Sequence, residues 1–262
     1  MLKMAKIYAI LSGKGGVGKT TTTINLGTSL NALGQDAIIM DGNLTTPNIG
    51  IHLGAPIVPI TLNHVLNGQA KIEDAIYEHE SGTKIIPASL SLKESEKVNY
   101  RRLIEIAKKL KKISNHILID CAAGLGEEAK SSMLAADEII IVTNPEMAAV
   151  TDALKAIKLS EEMGKPVIGV IITRFQGKSI EMSISNIKEM LEVPILGIIP
   201  EDDAIKESQV MKNAVIITHP KSSAAKSYNL TARRMLGENV KFEIHKKGLL
   251  RKLLGSFGIQ SY

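Results

Sequence analysis

Cysteine is almost absent from this chain. Cys121 stands alone among 262 residues, which excludes an internal disulfide framework and any Cys-x-x-Cys metal or iron–sulfur site within one copy. Nothing near Cys121 marks it as an activated thiol, so it is expected to pack rather than react. Tryptophan is missing, and five Tyr and three Phe form no basic–aromatic array of the kind on which single-stranded nucleic acid stacks. No stretch of 18 apolar residues exists, so no membrane-spanning helix is expected. The apolar run at residues 7–11 is too short for a secretory signal and leads straight into glycines; a cytosolic location is expected. His52, His64, His79, His116, His219 and His245 show no metal-ligand spacing and read as structural. Linker-like Pro/Ser tracts, low-complexity segments and internal repeats are also lacking, so a 44% hydrophobic chain of this length reads as one large domain plus a tail.

The net charge of +5 is unevenly spread. Residues 241–262 carry Lys241, Lys246, Lys247, Arg251 and Lys252 against Glu243, which is +4 of the total and leaves +1 for residues 1–240. The body is nearly neutral, which counts against a nucleic-acid-binding surface on it.

Short β-branched runs alternate with helical patterns, the signature of βαβ units and a mostly parallel sheet with helices on both faces. Strands are expected at 6–11, 37–40, 84–86, 116–119, 138–142, 167–173, 195–199 and 214–217, and helices at 19–33, 100–112, 147–163, 179–191 and 222–236. In the second helix Leu103, Ile106, Ala107 and Leu110 share one side, and the lysines form a solvated face.

After the first strand the chain reads Ser-Gly-Lys-Gly-Gly-Val-Gly-Lys-Thr-Thr, residues 12–21. Gly13, Gly18, Lys19 and Thr20 satisfy the P-loop pattern G-x-x-x-x-G-K-[ST] in its required strand–loop–helix context. Gly13, Gly15, Gly16 and Gly18 allow the backbone around Val17 to turn tightly and aim N–H groups at a phosphate chain. The following helix adds the positive end of its dipole. Lys19 supplies charge to the outer phosphates, Thr20 a hydroxyl ligand for Mg²⁺, and Thr21 a hydroxyl near the α-phosphate. Asp120, ending a buried strand beside this loop, is a second candidate for magnesium's water shell. ATP and Mg²⁺ are the expected substrate and cofactor.

The run Lys14-Gly15-Gly16-Val17-Gly18-Lys19-Thr20-Thr21 resembles the deviant Walker A motif of the MinD/ParA family of P-loop ATPases. The resemblance covers nearly the whole chain, through Ile85-Ile86-Pro87-Ala88-Ser89, Thr143-Asn144-Pro145-Glu146, Asp152, Ile172-Thr173-Arg174-Phe175 and Gly197-Ile198-Ile199-Pro200-Glu201-Asp202. It implies that Lys14 crosses a dimer interface to touch the partner's nucleotide, and that the chain forms a homodimer when ATP is bound. It also implies that Thr173, Arg174, Pro200 and Glu201 flank the adenine, where many relatives carry Asn in place of Thr173. In the family's Asp-x-Asp switch the first carboxylate assists magnesium and the second orients the attacking water. Asp41 matches the first, but Asn43 stands at the second, and an amide cannot take a proton. Slow hydrolysis is therefore expected, with Lys14, Lys19 and Asn43 as the residues around the chemistry. Ala122 replaces the proline of the family's Asp-x-Pro-x-Gly segment.

The tail, residues 241–262, is similar to the membrane-targeting segment of the family's membrane-associating branch. Wound as a helix, Leu249, Leu250, Leu253, Leu254 and Phe257 fall in one apolar arc. Arg251 and Lys252 face the other way, with Lys246 and Lys247 just before. That pattern suits the interface of an anionic membrane. The resulting expectation is a peripheral, ATP-gated ATPase that positions or recruits a protein partner. A DNA-partitioning ATPase of the ParA type and a nucleotide-gated scaffold with negligible turnover are the alternatives. An iron–sulfur carrier of the Mrp type would need a cysteine pair that the chain lacks.

Overall fold

The computed structural model describes residues 5–95 and 98–242. One sheet is built from β1 (Lys6–Leu11), β2 (Ala37–Gly42), β3 (Tyr77–Glu78), β4 (Lys84–Ile86), β5 (His116–Cys121), β6 (Glu138–Thr143), β7 (Val167–Phe175) and β8 (Ile195–Pro200). Its order is β3-β4-β2-β5-β1-β6-β7-β8. Every neighbouring pair is parallel except β3 with β4, which closes one edge as an antiparallel ribbon.

The longer helices are α1 (Lys19–Ala32), α5 (Arg102–Leu110), α6 (Glu127–Ala135), α7 (Met147–Glu162), α8 (Ile184–Leu191), α9 (Asp203–Val210) and α11 (Ser223–Met235). Single turns α2 (Ile49–His52), α3 (Leu62–Leu66), α4 (Leu92–Ser95) and α10 (Val215–Thr218) lie between them.

The two-residue period of the strands sorts side chains into two layers. Ile7, Ala9 and Leu11 of β1 face a core shared with α5, α6, α7 and α8, whereas Tyr8 and Ile10 face α1 and α11. Burial on both sides is why β1, β2 and β5 read as nearly unbroken apolar runs. The expected apolar side of α5 is the buried one, Leu103, Ile106, Ala107 and Leu110 included.

Two expectations need correction, and α6, α9 and β3 were not anticipated. Residues 214–217 are not a strand: α10 occupies Val215–Thr218, with Asn25 Oδ1 accepting the Val215 N–H at 2.8 Å and Asn213 Oδ1 that of Ala214 at 2.8 Å. Its apolar side chains plug the space beside α1 and α11 instead of extending the sheet. The helix expected from 179 begins at Ile184. Ser183 Oγ caps it by accepting the Asn186 N–H, and Glu181 instead ties down the N–H groups of Gln176, Gly177 and Lys178 as a turn. Helices α6 and α9 escaped the pattern reading because their apolar stripes are short and their sequences begin with acids. The strand β3 is two residues long and owes its existence to pairing with β4.

Candidate active site

Residues 12–18 leave the buried end of β1 and turn into α1. Gly16 and Gly18 take left-handed backbone angles, φ +78° and +90°, that a side chain would strain. Gly13 is held by space: a Cβ there would lie 2.2 Å from the carbonyl oxygen of Asp152 on α7. Glycine lets the loop lie against α7. The Val17 side chain is buried in the core, so only its backbone faces the loop's concavity, and its carbonyl accepts the Thr173 hydroxyl at 2.7 Å. Lys19 opens α1 and is almost wholly buried.

Adjacent strands β2 and β5 bring Asp41 and Asp120 into direct register at their C-terminal ends. Both carboxylates are fully buried. Thr20 Oγ1 donates to Asp120 Oδ2 at 2.6 Å, and Thr23 Oγ1 lies 3.4 Å from Oδ1. Asp41 accepts the backbone N–H groups of Asn43, Asn48 and Ile49 at 2.9–3.2 Å. Burial pushes the Asp120 carboxyl up to about 6, partly countered by the Thr20 hydrogen bond and the Lys19 charge. Burial, and then the negative charge of Asp120, raise Asp41 well above the usual carboxylate range.

Two buried carboxylates and a hydroxyl are hard oxygen donors that fit Mg²⁺. Among the described residues no group of three or more His, Cys, Asp or Glu could hold a metal alone. That suits an ion which keeps several waters and is completed by substrate phosphates. Cys121, next along, is buried, and its thiol is pushed up to about 12 by burial, so it packs without reacting.

Asn43 lies in the loop after β2, but its side chain is spent on that loop. Its Nδ2 donates to the Thr46 carbonyl at 2.5 Å, while Oδ1 accepts the Thr46 hydroxyl at 3.0 Å and the Thr46 N–H at 3.3 Å. Lys14 is half-exposed at the rim, 3.7 Å from Glu146. Among the described residues it makes no hydrogen bond to Asp41 or Asp120.

On the other side of the loop a cleft of about 220 Å³ opens between the ends of β7 and β8. Gly18, Thr21, Thr173, Arg174, Glu201 and Asp202 line it, together with Gln209 and Tyr228, which the sequence did not single out. Gln209 Nε2 donates to Thr21 Oγ1 at 3.1 Å. Pro200 is not among the lining residues; it pairs with Phe175 at the end of β8. Thr173 donates its hydroxyl to the Val17 and Thr143 carbonyls and so supports the loop from beneath. Arg174 sits at φ +53° at the cleft mouth, an uncommon angle for a side-chain-bearing residue.

The AAA-domain family matches residues 5–168 of this chain. A septum site-determining protein MinD of Bacillus subtilis is 32% identical over 98% of this chain and all of that one. The chain belongs to the MinD/ParA family of P-loop ATPases. An ATP-binding protein of Methanocaldococcus jannaschii is 36% identical, covering 93% of this chain and 92% of its own length. Among solved structures, MinD of Pyrococcus horikoshii in complex with Mg-ADP superposes with a TM-score of 0.85 at 35% identity, over 90% of this chain and all of that one. The MinC:MinD complex of Aquifex aeolicus matches with a TM-score of 0.84 at 29% identity, over 92% and 100%. As in other P-loop ATPases of the MinD/ParA family, the chemistry here is hydrolysis of ATP.

The residue most clearly missed is Glu128, in the first turn of α6. Its carboxylate accepts N–H groups from Leu44 and Thr45 and the Thr45 hydroxyl, across 84 and 83 residues of chain. The available signal was the Gly126-Glu127-Glu128 run, an acidic helix start just after the Asp120 segment.

Proposed function

We propose that this chain is an ATP-operated switch that dimerises on ATP, attaches peripherally to anionic membrane through residues 246–257, and recruits a protein partner there. The observation that carries the reading is the convergence of the P-loop, Thr20 and the paired carboxylates Asp41 and Asp120 at one end of the central strands. In this reading Gly13, Gly15, Gly16 and Gly18 present backbone N–H groups to the phosphates, and Lys19 and Thr21 stabilise them. Thr20, Asp41 and Asp120 hold Mg²⁺, which neutralises the developing phosphate charge. Thr173, Arg174 and Glu201 frame the base. Lys14, half-exposed at the rim beside Glu146, reaches the nucleotide of a second copy, so that ATP is sensed by assembly.

Membrane attachment is supported by the near-neutral body and the cationic, leucine-rich tail. Lys246, Lys247, Leu249, Leu250, Arg251, Lys252, Leu253, Leu254 and Phe257 lie outside the described residues. Within the described residues no helix is long and apolar enough to cross a membrane. A protein partner is supported by the MinC:MinD complex formed by the Aquifex aeolicus relative.

The test is light scattering of the full chain with ADP and with a non-hydrolysable ATP analogue. The dimer is expected only with the analogue. Lys14→Ala should keep analogue binding and stay monomeric; a Lys14→Ala variant that dimerises normally overturns the role given to Lys14.

A further inference from the structure

In the loop after β2, residues 43–48, Leu44 and Thr45 are held by two side chains from distant parts of the chain. Ser95 Oγ of α4 donates to the Leu44 carbonyl at 2.9 Å. Glu128 of α6 takes the opposite side. One carboxylate oxygen accepts the N–H groups of both Leu44 and Thr45, the latter at 3.0 Å, and the other accepts the Thr45 hydroxyl at 3.1 Å. Hydrogen bonds to an ionised acceptor are about twice as strong as neutral ones. Leu44 is also fully buried in the core, so its peptide is fixed on both edges and by its side chain.

The position of Glu128 gives the tie its meaning. Helix α6 follows the segment that begins at Asp120 and passes Gly124, whose N–H donates to the Ser12 carbonyl at the root of the P-loop at 3.2 Å. Ala123 in that segment lies 3.7 Å from where a Cβ on Gly15 would stand. Glu128 therefore joins the loop that follows Asp41 and carries Asn43 to the segment that follows Asp120, which itself touches the phosphate loop. Neither loop can shift alone while the tie holds.

We infer that Glu128 is a positioning residue for ATP hydrolysis: it fixes Asn43, Leu44 and Thr45 relative to Asp120 and the phosphate loop. The inference rests on the ATPase reading. Because Asn43 cannot act as a base, the reaction depends on placement and charge neutralisation, and small displacements of the reacting geometry carry large rate penalties.

The experiment is single-turnover hydrolysis by the full chain with Mg-ATP, alongside ATP affinity by calorimetry and thermal melting. Glu128→Ala should slow the step by about tenfold or more while affinity stays within about threefold and melting is little changed. Glu128→Gln keeps one oxygen able to accept both N–H groups, so its rate should remain within about threefold of the parent. A Glu128→Ala rate within that same range overturns the inference. So does a Glu128→Gln loss as deep as the alanine variant's, or a rate loss matched by an equal loss of affinity or by melting.

A parent chain without turnover would refute the ATPase reading instead. The tie is then read by amide hydrogen exchange at Leu44 and Thr45 in the analogue-bound protein. Glu128→Ala must speed that exchange by about tenfold or more; unchanged exchange overturns the inference.

Discussion

At Asn43 the amide does something a carboxylate could not. Its Nδ2 donates to the Thr46 carbonyl while Oδ1 accepts from the Thr46 N–H and hydroxyl, closing a small ring within the loop. An aspartate would keep the accepting half and set an anionic oxygen against the Thr46 carbonyl, pushing that oxygen out of the ring. Asn43→Asp is therefore expected to free a carboxylate oxygen and to raise single-turnover hydrolysis several-fold without tightening ATP binding. A positioned general base contributes roughly 10²–10⁴-fold in general. The gain here is smaller because the freed group is not already aimed at a water. Equal rates for the two proteins at saturating ATP, with dimerisation confirmed, would show that Asn43 does not limit the reaction.

The element scale is set by β2 and β5, which deliver two carboxylates to adjacent buried positions; among the described residues no cation forms an ion pair with both. Asp120 has its carboxyl raised to about 6 from an ordinary value of 3.8. A raised value means that the folded state holds the proton more tightly than the unfolded chain. The stability contributed is fully present below about 3.8 and is lost as pH rises through about 6. Asp41 is shifted in the same direction. The nucleotide-free protein in a metal chelator is thus expected to lose melting temperature between pH 5 and 7.5, relative to Asp120→Asn, which has no such proton to lose. Thermal melts of both proteins at the two pH values check this. A constant difference between them would mean that the carboxyl titrates as an ordinary one. Repeating the melts with Mg-ATP should shrink the dependence, since a cation takes over the proton's role.

On the scale of the whole molecule, the body and the tail meet at Arg234. Its guanidinium donates to the carbonyls of Val240, Lys241 and Leu196 at 2.7–3.1 Å and stacks 3.8 Å from the centre of the Phe242 ring. Through Arg234 the last described residues are linked to β8 at Leu196. Truncation before Lys246 leaves every one of these contacts in place. That variant is expected to bind ATP like the parent and to lose co-sedimentation with anionic vesicles. The full chain should co-sediment with the ATP analogue and much less with ADP. One interfacial helix binds marginally, and two in a dimer bind together through avidity. Vesicle binding retained after truncation would place the membrane contact on the body.

Much of this could be read before any coordinates, because it depends on local chemistry. A glycine-rich turn between a strand and a helix has one dominant use when it ends in Lys19 and Thr20, and short, nearly unbroken apolar runs declared the central strands. The sequence by itself also located the charge in the tail. Contacts between residues far apart in the chain were decided only by the tertiary structure. The tie from Glu128 to Leu44 and Thr45 joins positions 83 and 84 residues apart, and the Thr173 bond to Val17 spans 156. Residues 214–217 became a helix because Asn25 claimed the Val215 N–H and the space beside α1 needed filling, neither of which an apolar four-residue run can announce. A hydrogen-bond partner supplied from across the fold leaves no periodic trace in the sequence, and burial of two carboxylates side by side follows from strand register, which packing sets.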